Sequence, residues 1–194
     1  MFRWILIVVF VGNIGISAYF RKKARQVETI TRAEEGARFV LLRLVFALPL
    51  FLSILAYLIN PAWMNWSSVA LPAWLQWGGA ALGVGVIPLT YWVFSTIGSN
   101  ISETVLTKET HQLVTSGPYR WVRHPLYVVG TLILTAISLL TANWFIGGMT
   151  VIALVMIALV VIPKEEANLI ETFGDDYRAY MKRTGRLVPR LRAS

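Results

Sequence analysis

The segment Gly117–Tyr127 reads GPYRWVRHPLY, and beyond a long apolar stretch the chain carries two adjacent acids, Glu165 and Glu166. Two arginines, a histidine, two tyrosines and two carboxylates are the residue types that grip a small charged molecule. Carboxylates accept from ammonium and hydroxyl groups, cations pair with carboxylates, and aromatic faces attract a cation. Gly117-Pro118 signals a turn. Pro125 discourages helical geometry at His124 and suits the first turn of a helix starting near Leu126, so His124 is expected at the mouth of an uncharged run, Leu126 to Ile162. A metal site from His111, His124 and Glu109 matches no zinc spacing and lacks a third strong ligand nearby, so no metal is expected.

In the tail, Leu169, Phe173, Tyr177 and Tyr180 recur at helical spacing and make one apolar stripe. Glu165 lies four residues before Leu169 and projects from that stripe; Glu166 is slightly less well aimed. A carboxylate in a first helical turn suits the macrodipole. If the last apolar helix runs unbroken into the tail, Glu165 sits mid-helix and that explanation fails.

The elements that position these residues are greasy. Of 194 residues 56% are hydrophobic and 14% charged, with mean hydropathy +0.61, against about 25% charged in a soluble domain. Five stretches near the ~20 residues of a span are expected at 4–20, 40–59, 74–97, 126–142 and 143–162. The expected fold is therefore an all-α polytopic membrane protein, one domain over 1–194, with a loop and a C-terminal helix closing a pocket and a functional region over 98–194. The fourth and fifth spans, joined by Thr141–Trp144, are expected as a tight hairpin held by small residues such as Gly130, Ala136, Ser138, Gly147 and Gly148. The first span, preceded by one positive charge and followed by RKKAR, suits a retained anchor.

Seventeen of the eighteen basic residues fall in the loop after span one, the loop after span three and the tail, with Arg3 opposite. The positive-inside rule places the N-terminus outside and both the 98–125 loop and the C-terminus in the cytoplasm. Topology and anionic lipid headgroups account for the net charge of +8 without nucleic acid. The uncharged loop 60–74, with three Trp, reads as an interfacial turn. No Cys is present, which excludes thiolate catalysis and disulfides.

From Thr104 on, LVTSGPYRWVRHPLY, an apolar hairpin, EEANLIETFGDDYRAY and a closing RTGRLVP resemble the isoprenylcysteine carboxyl methyltransferase family. Spans one to three resemble it only as hydrophobic helices. A wider group including phospholipid N-methyltransferases shares this C-terminal half. The resemblance implies a membrane methyltransferase using S-adenosylmethionine and releasing S-adenosylhomocysteine. It implies a lipid-modified peptide or small lipid substrate arriving through the bilayer. Carried over residue by residue, it places His111, Gln112, Leu113, Val114, Tyr119, His124, Pro125, Leu126, Tyr127, Glu165 and Glu166 at the cofactor, with Arg123, His124 and Tyr127 at the chemistry. Eukaryotic relatives in that family carry an arginine four residues before the first glutamate; here that position is Val161, so either the substrate differs or its carboxylate is received by another cation such as Arg43, Arg120 or Arg123. The alternatives are a lipid amine N-methyltransferase and, outside enzymes, a small transporter. The latter predicts charged or broken helices deep in the bilayer, whereas these spans are nearly free of charge.

Overall fold

The computed structural model describes residues 1–25, 37–98 and 112–190. The described residues are helical apart from turns, short connections and two isolated β-bridges. In order they form α1 (Phe2–Arg25), α2 (Ala37–Ile59), a 3-10 segment (Pro61–Ser67) and α3 (Ala73–Ile97). After a 3-10 turn (Gly117–Arg120) come α4 (Pro125–Thr141), α5 (Trp144–Met156), a widened π turn (Ile157–Val161) and α6 (Ile162–Arg183). This is the architecture of an integral membrane protein; the five expected stretches overlap α1–α5, the fifth running on through the π turn into α6. By length and composition, three described helical stretches suffice to cross a membrane: Phe2–Ala24, Ala73–Ile97 and Trp144–Arg183. Leu44–Ile59 and Pro125–Thr141 are shorter apolar helices.

The main packing seam is α3 against α4 and α1. A Cβ on Gly79 would lie 2.6 Å from Leu139, and one on Gly83 would lie 2.8 Å from Val9 and 3.3 Å from Ala136. Small residues thus let helices approach closely, but at a different seam from the expected one. Gly130, Gly147 and Gly148 have open space around them. In the α4–α5 hairpin the polar contact is Ser138 Oγ with Thr150 Oγ1 at 3.0 Å. Ala142 turns the hairpin in the left-handed region (φ 45), and Asn143 caps α5 by accepting from Ile146 N–H at 3.1 Å.

The helical stretch Trp144–Arg183 is forty residues long, about twice what a span needs, and runs without a break as far as a kink at Gly174. Its uncharged part, 144–162, is the crossing part; from Lys164 on it is charged and amphipathic. Pro163 has no N–H to donate back and its ring crowds the preceding turn, and the ladder widens to π geometry immediately before it. Glu165 is therefore mid-helix, with no free helix terminus beside it.

Candidate functional site: a carboxylate–histidine–arginine cluster under the tail

Three segments meet at the end of the bundle formed by the last turns of α1 and α3 and the first turn of α4. Gly117 opens the loop with φ 55, and Thr96 lies 2.9 Å from where its Cβ would sit, so the turn demands glycine. Tyr119 then packs into the cluster of Val86, Val93 and Val129. His124 is non-helical (φ −121, ψ 59), as Pro125 requires, and α4 begins at Pro125. The tail returns to hold this loop. Arg123 N–H donates to Gly185 O at 2.8 Å, His124 N–H to Arg186 O at 3.2 Å, and Gly185 N–H to Trp121 O at 3.3 Å. Tyr180 OH donates to Tyr119 O at 2.5 Å. Gly185 is needed here because a Cβ would collide with the Val188 carbonyl.

Glu166 is the hub. Its Oε1 accepts from Arg123 Nε at 3.0 Å and lies 3.1 Å from His124 Nε2; its Oε2 accepts from Arg186 Nη2 at 2.7 Å and Nε at 3.1 Å. Arg123 also donates to the carbonyls of Met181 and Thr184. Burial works against the Glu166 charge, but hydrogen bonds from His124, Arg186 and Arg123 outweigh it and hold the carboxyl at about 2. An ionised carboxylate only accepts, so His124 Nε2 carries the proton.

Glu165 faces the other side of the same imidazole: its Oε2 is 3.8 Å from His124 Nδ1. Burial raises its pKa, opposed by His124 and by a hydrogen bond from Tyr127. Although 30% of the Glu165 side chain is exposed, its Oε2 is buried and unpartnered. Tyr119 OH and Tyr177 OH are the other two buried polar side-chain atoms without a partner among the described residues. The Glu165 charge is felt at both phenols, so the three groups share one neighbourhood. Buried polar atoms are nearly always paired. Tyr180, its ring 5.9 Å from that of Tyr177 and its hydroxyl on the Tyr119 carbonyl, ties the two phenols together, and two open phenol O–H groups with a carboxylate oxygen form a set that fits a small zwitterionic or hydroxylated ligand.

Of the residues expected at the site, Tyr119, Arg123, His124, Tyr127, Glu165 and Glu166 come together. The Tyr127 ring lies 5.8 Å from that of His124. Pro125 is buried beneath them; Leu126 and Val114 pack into the apolar clusters, Leu113 is half-buried and Gln112 is exposed. His111 lies outside the described residues, as does the side chain of Arg43. The two acids divide the work differently from the expectation: Glu166, not Glu165, is the more deeply buried and is fully committed to cations. Sequence reasoning missed Arg186, which reads as one more residue of a basic end, and the hydroxyls of Tyr177 and Tyr180, which read as part of an apolar stripe.

Residues 80–171 match the model of the isoprenylcysteine carboxyl methyltransferase family. The chain thus resembles that family over just under half of its length. It is 33% identical over 96 residues to a protein-S-isoprenylcysteine O-methyltransferase of Mus musculus, covering 48% of this chain and 34% of the relative. It is 38% identical over 73 residues to methanethiol S-methyltransferase 1 of Bradyrhizobium diazoefficiens, covering 37% and 24%. The chain thus spans about a third or less of the length of these curated relatives. The solved structure of the eukaryotic intramembrane Ras methyltransferase ICMT (isoprenylcysteine carboxyl methyltransferase) aligns with 95% of this chain and 67% of its own, at TM-score 0.58 and 21% identity, and shares the fold.

Proposed function

We propose that the protein is an S-adenosylmethionine-dependent membrane methyltransferase that methylates the carboxylate of a lipidated substrate, such as a C-terminal isoprenylcysteine. The observation that carries this reading is the trio of buried, unpartnered polar atoms, Glu165 Oε2, Tyr119 OH and Tyr177 OH; the family match of residues 80–171 directs it to methyl transfer.

The residues present suit the cofactor. Glu165 offers an acceptor for its ammonium or ribose hydroxyls, strengthened by charge, and Tyr119 and Tyr127 offer aromatic faces to adenine or sulfonium. When bound, S-adenosylmethionine supplies a methyl on a positively charged sulfur, and a carboxylate acceptor, ionised at its ordinary pKa of about 3.5, needs no proton removed. The chain's contribution is then alignment and exclusion of water; holding reactants in a near-attack geometry is worth about 7–11 kcal/mol. Glu166, Arg123 and Arg186 fix the His124 ring, and the tail pinned over Trp121–His124 covers the site. Arg123 is committed to Glu166 and two carbonyls. Arg120, exposed with its guanidinium 4.2 Å over the Trp121 ring, is the better-placed cation for a substrate carboxylate.

The lipid tail of the substrate gains about 0.8 kcal/mol per CH₂ on leaving water but almost nothing on leaving lipid. Selectivity therefore rests on headgroup and shape, with lipid arriving through the bilayer and cofactor from the cytoplasmic side, where 17 of 18 basic residues are expected. Methyl transfer to a small thiol is the second reading. It is favoured by the match to a methanethiol S-methyltransferase and by His124 Nδ1, which offers a proton acceptor for a thiol of pKa about 8.5.

Purified protein in liposomes, given labelled methyl donor, is expected to label a prenylcysteine analogue in preference to phosphatidylethanolamine or a small thiol. Label confined to the amine or the thiol moves the protein to that acceptor class; label in none of them rejects the reading.

A further inference from the structure

Tyr177 lies three residues past Gly174, whose backbone (φ 55, ψ −124) breaks the line of α6. Only glycine adopts that conformation without strain. Beyond the break, Tyr177 and Tyr180 tuck inward, ring centroids 5.9 Å apart, and Tyr180 is tied to the Tyr119 carbonyl. Tyr177 is 1% exposed and its hydroxyl meets no partner. A phenylalanine would fill the same volume without burying an unpaired hydroxyl, and an unmade buried hydrogen bond is costly. The hydroxyl is therefore accounted for only if something outside the described residues meets it.

What meets it is constrained by its neighbours. Burial raises the pKa of both Tyr177 and Tyr119, so both phenols stay protonated and donate. Glu165 Oε2, the third open atom, accepts when ionised. Two donors and one anionic acceptor are the complement of an α-amino acid zwitterion, whose carboxylate accepts and whose ammonium donates. We propose that Tyr177 is a ligand-binding residue whose hydroxyl, with that of Tyr119, donates to the carboxylate of an amino-acid group held at its ammonium by Glu165. This rests on the cofactor reading above and assigns the amino-acid end of the cofactor to the Gly174 break.

The test is calorimetry on the full detergent-purified chain with two ligands: S-adenosylhomocysteine, and methylthioadenosine, which lacks the amino-acid group. Thermal unfolding is followed in parallel. Tyr177→Phe is expected to keep or raise the melting temperature, to bind S-adenosylhomocysteine about tenfold more weakly, as loss of a hydrogen bond to a charged group predicts, and to bind methylthioadenosine as wild type does. Unchanged affinity for S-adenosylhomocysteine overturns the proposal, as does equal weakening of both ligands. Wild type binding neither ligand would instead remove the cofactor reading, and the inference with it. Should Tyr177→Phe not be recovered folded, Tyr119→Phe carries the same expectation from the opposite wall.

Discussion

At one end of the bundle, Asn143 is buried with all its polar capacity in use: its Oδ1 caps Ile146, and its Nδ2 donates to Met64 O at 3.1 Å and Ser67 Oγ at 2.8 Å. Arg3 nearby donates to the Leu58 and Ile59 carbonyls at the end of α2, and Trp66, Trp144 and Phe145 pack edge to face and tilted around them. At the other end, Glu166 is equally well paired, yet Glu165, Tyr119 and Tyr177 each keep an open buried atom. The first end is chemically finished: polar groups there close loops onto helices and ask for nothing more. The second combines a finished clamp with an unfinished wall. A fold stabilised for its own sake has no reason to keep three such atoms, so the difference separates the part that holds the protein together from the part that holds a ligand.

The comparison breaks most visibly at the clamp. Glu166→Ala leaves the buried Arg123 with two carbonyls and no counter-charge, and breaking a buried ion pair from one side costs about 3–5 kcal/mol; denaturant or thermal unfolding in detergent is expected to show a loss of that size. An unchanged midpoint would mean that the cluster is solvated and holds nothing. Next comes the open wall. Glu165→Gln removes the acceptor charge while keeping the shape, and S-adenosylhomocysteine should bind about ten to a hundred times more weakly, with little change in melting temperature. Asn143→Ala at the finished end should show the opposite signature: a stability loss of about 1–3 kcal/mol with ligand affinity intact.

The mildest effects come from pH, and they too divide the two acids. Glu166 has a depressed pKa, so its contribution to stability is present above the ordinary carboxyl range near 4.5 and is lost as pH falls toward about 2. Glu165 has a raised pKa; ionised, it opposes folding, and its part of the stability fades as pH rises through the folded value. An ammonium needs it ionised, so ligand affinity should fall with acidification starting above pH 4.5, before stability does. Loss of both together would mean that the two carboxylates titrate as one group and that the division is wrong.

Much of this was legible in the residues. The uncharged run from Leu126 to Ile162, and the turn chemistry around Gly117 and Pro125, locate the helices to within a few residues and set His124 at the helix mouth. The adjacent acids point to the site because carboxylates at the edge of an apolar span need partners. The division between Glu165 and Glu166 was not legible. It depends on a widened turn before Pro163 and on Arg186, which reaches Glu166 from twenty residues away only because Gly174 and Gly185 bend the chain back. The close seam of Gly79 and Gly83 with α4 and α1 was hidden for a similar reason: small residues occur throughout these helices, and only the helix pairing selects which are pressed together.

Hydrogen exchange read by mass spectrometry, with and without S-adenosylhomocysteine, tests the contrast between the two ends most directly. The ligand is expected to protect residues 117–127 and 162–186 while leaving 60–75 and 141–146 unchanged. Protection of the Asn143 end, or of neither end at ligand concentrations that saturate binding, would contradict the account.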